Sequence, residues 1–288
     1  MRLTKPVEVR GVLLGTGLPK ICVPLTAENA GGLAEQAREA VRAGADLTEW
    51  RFDCFEERSA AGLKAGLEVL DEALRSGSDK RLPLLFTIRT RPEGGSADLS
   101  LEEYIRLNLL AASDERVDLV DVEVFGEDEK KKELIRSLQE HGVKVIGSRH
   151  YFEETPQLQE LFTALFGLDA SGADVLKLAV MPQFLEDVQM LIQAVDKLTK
   201  HSVHPVIAMS MGEMGRITRI WGEAFGSCVT FGTAGHASAP GQMPAEKLRE
   251  ELLEVHRMLQ EKEKSAVERE QAYERHEGEE NGQIPGGA

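Results

Sequence analysis

The feature that most restricts the fold is a repeated alternation. Short apolar or β-branched runs occur at Lys20–Pro24, Asp46–Phe52, Leu82–Arg89, Asp118–Val124, Val143–Ser148, Asp174–Val180, Pro205–Ser210 and Cys228–Phe231, eight in all. Each has the length of a strand. Helical spacing lies between them, in Leu33–Ala37–Val41, Leu101–Ile105–Leu109, Leu158–Leu161–Phe162–Leu165 and Val188–Leu191–Ile192–Val195–Leu198. Gly44, Gly77, Gly142, Gly167 and Gly172 fall near the expected helix ends, where a residue free to take positive φ closes the last turn. Eight β-then-α units in about 230 residues are what an α/β fold of the (β/α)8 (TIM) barrel type requires. A doubly wound open sheet shares the alternation, but no GxGxxG follows the first run, so its nucleotide-binding form has little support.

Residues 1–18 carry an extended alternation of their own and are expected to form a hairpin over the barrel bottom, with residues 19–257 as the single barrel domain. From about Glu261 large apolar residues nearly vanish. Residues 258–288 therefore read as an acidic, polar tail whose first half can continue the last helix and whose end is disordered. A core of this size is within reach of a chain that is 42% apolar. The formal net charge of -15 repels nucleic acid and anionic membrane, so neither is an expected partner. It says less about a small substrate, because a few arginines can make one cleft positive. Cys22, Cys54 and Cys228 are far apart and form no CxxC pair, which suits a reducing compartment. The N-terminal stretch has scattered charges and no sustained apolar core, and no run is long enough to span a bilayer. The expected location is cytoplasmic.

In a barrel of this kind the active site lies at the C-terminal ends of the strands. The informative residues are charged ones that alternation points inward there, since such groups are rarely buried unless paired or used. Glu49 and Arg51 in LTEWRFD are two apart and share a face, with Trp50 and Phe52 on the other. They form either a structural ion pair or a cleft pair in which Arg51 serves a substrate oxygen. The third run ends IRTRPEGG, with Arg89 at the strand end and Glu93 in a Gly-rich loop able to fold over the mouth. Asp121 and Glu123 repeat the spacing of two on the fourth run. The fifth leads into GSRHY and puts His150 at the rim, as a base or as a packed, hydrogen-bonded residue.

Lys177 is the most informative residue. It lies mid-strand in ADVLKLAVM, in a run that is apolar on both faces. One reading is a buried salt bridge to Glu49, Asp121 or Glu123. The other is an amine held in a cleft near arginines, where desolvation and like charge favour the neutral form that attacks a carbonyl. That second reading suggests imine chemistry, as in several aldolases and certain dehydratases. After the seventh run comes MSMGEMGRITR and after the eighth FGTAGHASAPGQ. Their backbone N–H groups, with Arg219, Ser238 and Gln242, suit either a phosphate or the hydroxyl and carboxylate groups of another ligand. No HExxH or other convincing ligand set occurs, so no metal is expected. His201 and His204 precede the seventh run and belong to the opposite face.

Taken in order, these motifs resemble the type I 3-dehydroquinate dehydratases from about Pro19 to Arg257: TEWRFD, TIRTRPEGG, GSRH, LKLAVMP, MSMGEMGRITR and ASAPGQ. The resemblance implies an enzyme that removes water from 3-dehydroquinate to give 3-dehydroshikimate, on the route to chorismate and the aromatic amino acids. It implies a catalytic set in which Lys177 forms an imine with the C3 ketone, His150 removes a C2 proton and Glu93 holds the histidine. It assigns Glu49, Arg51, Arg89, Arg219, Ser238 and Gln242 to substrate binding. No cofactor is implied, because a protonated imine is itself the electron sink. A homodimer is implied. Tyr151 departs from the acidic residue the family commonly has after the histidine, and Arg149 and Thr218 are also less usual. The rival readings are a class I Schiff-base aldolase acting on a phosphorylated substrate and a non-catalytic barrel scaffold.

Overall fold

The computed structural model describes residues 2–75, 81–124, 129–235 and 238–281, with side chains described to residue 265, residue 263 excepted. A hairpin of β1 (Val7–Val9) and β2 (Val12–Leu14) comes first. Arg10 and Gly11 at its tip have φ of 47° and 79°, the left-handed pair that a two-residue turn needs to match strand twist. Eight parallel strands follow: β3 (Lys20–Leu25), β4 (Leu47–Arg51), β5 (Leu84–Thr87), β6 (Leu119–Glu123), β7 (Lys144–Tyr151), β8 (Val175–Val180), β9 (Val206–Ser210) and β10 (Val229–Phe231). They pair in chain order, and β10 returns to pair with β3. β9 and β10 meet at a bridge between Val206 and Ser227, and the Cys228 N–H donates to the Val206 carbonyl at 2.7 Å. The sheet is thus a nearly closed barrel, and each of the eight expected runs supplies one strand.

Helices α1 (Ala30–Arg42), α2 (Ala60–Ala73), α3 (Leu101–Ala112), α4 (Glu129–Glu140), α5 (Leu158–Asp169), α6 (Leu185–Thr199), the short α7 (Arg216–Ile220) and α8 (Gly222–Phe225), and α9 (Ala245–Asn281) follow the strands. Asn29, Ser59 and Ser100 start three of them by accepting the N–H of Gly32, Gly62 and Glu103, which satisfies donors that have no partner within the first turn. Between strands and helices lies the larger apolar core. Trp50 sits there edge-on to Phe52, Phe55 and Phe86, and it fits because position 66 is glycine: a Cβ there would come within 2.3 Å of the indole. Gly44, Gly142 and Gly172 do take positive φ beyond helix ends, whereas Gly167 lies inside α5 and Gly77 is outside the described residues.

The barrel interior is layered by the two-residue period of the strands. Cys22, Leu47, Leu85, Leu119, Ile146, Val175, Ile207 and Val229, one from each strand, form an apolar layer that packs against Val9 and Leu14 of the hairpin. Two residues further along the same face stand Glu49, Thr87, Asp121, Ser148 and Lys177. The interior therefore changes from dry to charged within one step of the pleat. Helix α9 buries Ala245, Leu248, Leu252 and Val255 against the barrel. It continues to Asn281, and residues 282–288 of the stretch read as disordered lie outside the described residues.

Candidate active site

The polar layer opens at the C-terminal ends of the strands into a small cavity. The nine residues expected in catalysis and substrate binding all line it: Glu49, Arg51, Arg89, Glu93, His150, Lys177, Arg219, Ser238 and Gln242, whereas Asp121 and Glu123 lie behind it. Apolar side chains, Phe152, Met209, Met211 and Phe231, complete the wall.

Lys177 projects inward from the middle of β8, as the alternation requires. Its Nζ lies 3.3 Å from both Glu49 Oε1 and Asp121 Oδ2, and 4.6 Å from the centre of the Phe231 ring. The salt bridge to Glu49 and Asp121 is therefore present, and it forms on the wall of the cleft. Its nearest charged neighbours are carboxylates rather than arginines. Glu49 is steadied by the Thr87 hydroxyl at 3.0 Å, and Asp121 by the Ser148 hydroxyl at 2.6 Å.

His150 lies on β7, which runs three residues further than the apolar run because the backbone keeps its ladder through Arg149, His150 and Tyr151. Ser148 is paired with Lys177 in register, and His150 is one inward step beyond. Strand geometry then separates the Cα atoms of Lys177 and His150 by roughly 8 Å. The His150 Nδ1 meets Glu93 Oε2 at 2.9 Å. Burial, with the nearby Arg89, Lys177 and Arg51 cations, holds the imidazole well below its ordinary pKa, so it is neutral at pH 7. Glu93 is pushed up to about 8 by burial, which Arg89 opposes and Glu123 and Asp121 reinforce. The loop bearing Glu93 turns at Gly94, with φ 79°, where a Cβ would strike the Phe152 ring at 2.3 Å. Only glycine lets Phe152 seat beside the histidine.

Arg89 lines the cavity and is at the same time the hub of a buried charge cluster. Its buried guanidinium donates from Nη1 to Glu93 Oε2 (3.2 Å), Glu123 Oε1 (3.1 Å) and Ser148 Oγ (3.0 Å), and its Nη2 lies 2.8 Å from Asp121 Oδ1. One cation thereby gathers three buried carboxylates, one of them the histidine's partner. Arg51 makes a bidentate pair with Asp53, both contacts at 2.8 Å. Burial pushes the Asp53 carboxyl up, but the Arg51 fork outweighs it and leaves Asp53 below the usual carboxylate range.

Arg219 is buried and has no carboxylate partner among the described residues. Its Nη2 donates to the Pro240 carbonyl at 2.9 Å, and burial lowers its pKa to about 10. A buried cation without a counter-charge is costly to the fold. Beside it the Ser238 N–H donates to Gln242 Oε1 at 2.8 Å, and Gln242 Nε2 donates to Ser238 Oγ at 3.0 Å. Gly241 brings this loop onto the one after β9, since a Cβ there would be 2.3 Å from the Gly212 carbonyl.

The residues that sequence reasoning missed are Asp53, Thr87 and Ser148. Two carried a legible signal: Thr87 is two residues beyond inward Leu85, and Ser148 is two before His150. Asp53 did not, because the chain leaves β4 for a 3-10 turn, Phe52–Cys54, and strand parity ends there.

A family model described as type I 3-dehydroquinase matches residues 21–259. A 3-dehydroquinate dehydratase from Clostridium novyi (strain NT) is 40% identical over 257 residues, which cover 88% of this chain and 100% of that protein. One from Klebsiella pneumoniae subsp. pneumoniae is 41% identical over 250 residues, covering 86% of this chain and 98% of that protein. Among solved structures, type I 3-dehydroquinate dehydratase from Clostridium difficile with covalently modified comenic acid is similar with a TM-score of 0.81. It is 39% identical, and the match covers 88% of this chain and 99% of that one.

Proposed function

The chain belongs to the type I 3-dehydroquinase family, and from that premise we propose how the side chains of its cavity divide the work. The reaction removes water from 3-dehydroquinate through a lysine Schiff base to give 3-dehydroshikimate, a hydro-lyase step of the shikimate pathway. The aldolase and scaffold readings give way to this one.

Lys177 is the nucleophile. Its ammonium passes a proton to Glu49 or Asp121, each 3.3 Å away, and the free amine adds to the C3 ketone. Loss of the ketone oxygen as water leaves a protonated imine. That imine draws electrons from C2 and makes its proton acidic enough for a nearby imidazole. His150 is the base. Its Nδ1–H donates to Glu93, which leaves the Nε2 lone pair for the C2 proton. The electron pair of the C2–H bond passes into an enamine and then into the C1–C2 double bond as the C1–O bond breaks. The imidazolium returns its proton to the departing hydroxyl, which leaves as water. A second water hydrolyses the imine, replacing the one released when it formed, and the lysine is regenerated.

Arg219, with Ser238 and Gln242, receives the substrate's carboxylate, which supplies the anion that this buried guanidinium lacks. Arg51 offers Nη1, which has no hydrogen-bond partner among the described residues, to a substrate hydroxyl, and Glu49 accepts from another. Arg89 acts by positioning the carboxylates around Lys177 and His150. The chain works as a homodimer, as is usual in the family, and in the cytoplasm, in keeping with its three free cysteines. Sedimentation of the purified protein tests the dimer.

The observation that carries this reading is the placement of Lys177 and His150 on paired strands facing one cavity. Conversion of 3-dehydroquinate, followed through the absorbance of the conjugated product, tests it. Lys177→Ala should abolish conversion, and a Lys177→Ala protein with full activity would contradict the assignment.

A further inference from the structure

Asp53 is wholly buried, and beside a long contact from the Cys54 thiol to Oδ2 at 3.9 Å its two oxygens accept four N–H hydrogen bonds from two different parts of the site. From the strand side, Arg51 donates Nε to Oδ1 and Nη2 to Oδ2, both at 2.8 Å. From the loop side, the Arg89 N–H donates to Oδ1 at 3.2 Å and the Ser96 N–H to Oδ2 at 3.0 Å. Arg89 and Ser96 stand at the two ends of the turn that carries Glu93. The turn is closed further by Ala97 N–H to the Arg89 carbonyl (3.1 Å) and Gly95 N–H to the Thr90 carbonyl (2.9 Å). Close packing leaves it little room, since a Cβ at position 95 would lie 2.1 Å from the Arg89 carbonyl oxygen.

We propose that Asp53 is a positioning residue that couples substrate binding to general-base orientation, by fixing the Arg51 guanidinium and the Glu93 loop with one carboxylate. The inference rests on the roles proposed above for Arg51 and Glu93. Its physical basis is the geometry of a carboxylate, which accepts along fixed directions on both oxygens. A shift of Arg51 that follows substrate must move Asp53 and with it both ends of the loop. Conversely, the loop cannot relax and release the histidine's partner without loosening Arg51. A residue serving stability alone would leave kcat and KM of the folded fraction unchanged.

The test is Asp53→Asn, assayed beside Arg51→Lys and Glu93→Gln. Asparagine keeps one acceptor and turns the other into a donor facing Arg51 Nη2 or the Ser96 N–H. Expected is a rise of KM and a fall of kcat, each about tenfold or more, since hydrogen bonds to charged groups are at stake on both sides. Lys177 should still be trapped by borohydride with 3-dehydroquinate to the same extent per folded molecule. A folded Asp53→Asn enzyme with kcat and KM within about twofold of the parent, while Arg51→Lys and Glu93→Gln are impaired, would overturn the coupling. Unimpaired Arg51→Lys and Glu93→Gln would instead overturn the roles on which it rests, and the coupling with them. If the variant does not accumulate as folded protein, hydrogen exchange at the Ser96 amide of the unaltered enzyme decides. Ser96 is exposed, so slow exchange of its amide would reflect the bond to Asp53, and exchange at a free-loop rate would overturn the proposal.

Discussion

His150 Nδ1 and Glu93 Oε2 lie 2.9 Å apart, although they are 57 positions apart in sequence, and the contact ties the imidazole to the loop after β5. It divides labour between two groups in a testable way. His150→Ala should still form the imine, because Lys177 supplies the nucleophile, while dehydration slows by about 10²–10⁴, the usual worth of a placed general base. Glu93→Gln should be milder, since a glutamine carbonyl can still accept from Nδ1. Single-turnover kinetics with mass spectrometry of the trapped adduct checks this order. Normal turnover in His150→Ala would return the histidine to a packing role.

The same pair sets a pH dependence of stability. The folded-state pKa of Glu93, about 8, is above the ordinary carboxylate value of 4.5, so the folded protein holds a proton that the unfolded chain has lost. That contribution is complete below 4.5 and is lost as pH rises through about 8. The His150 pKa is depressed below 6.5, so its contribution has the opposite sign and is already complete above 6.5. Between pH 6.5 and 8 only the Glu93 slope remains of the two, and stability should fall with rising pH. Thermal melts of Glu93→Gln beside the unaltered protein should show a flatter dependence in that window. An unchanged slope would mean that Glu93 does not hold its proton there.

Arg89 makes a separate prediction. Replacing it by leucine leaves Glu93, Glu123 and Asp121 buried without the guanidinium they share. Breaking such a cluster on one side typically costs about 3–5 kcal/mol. Urea denaturation of Arg89→Leu should show a loss of that order. A loss below about 1 kcal/mol would mean that the carboxylates find other partners or take up protons cheaply.

Arg219 should behave in the opposite manner. Its guanidinium has no carboxylate partner among the described residues and is lowered to about 10 by burial, so the unliganded protein carries its cost. Arg219→Leu should leave the melting temperature unchanged or raise it, while KM rises by about a hundredfold, as expected for loss of one member of a buried charge pair. Strong destabilisation with an unaltered KM would place the cation in the scaffold instead.

How much of this was legible in the sequence depends on distance along the chain. Two-residue parity was enough to place Glu49, Asp121, Lys177 and His150 on the inward face, because a strand leaves a side chain only two directions. Eight such strands in order imply the barrel and hence one mouth where they converge. What parity could not give was who pairs with whom. Arg89 could be placed at its strand end, yet its partners within the protein come from β6, β7 and its own loop, and only closure of the barrel brings them together. Likewise the sequence left Lys177 between a salt bridge to Glu49, Asp121 or Glu123 and an amine beside arginines, and the register of β4, β6 and β8 is what sets Glu49 and Asp121 next to it. Asp53 was hidden for a more local reason, since it lies in a turn where strand periodicity carries no information.

Everything proposed for this cavity depends on a covalent imine between Lys177 and the substrate. Borohydride reduction in the presence of 3-dehydroquinate, followed by peptide mass mapping, tests it most directly. Irreversible inactivation is expected, with one added mass on the peptide containing Lys177 and no adduct in Lys177→Ala. Labelling of a different lysine, or inactivation without any covalent mass on that peptide, would contradict it.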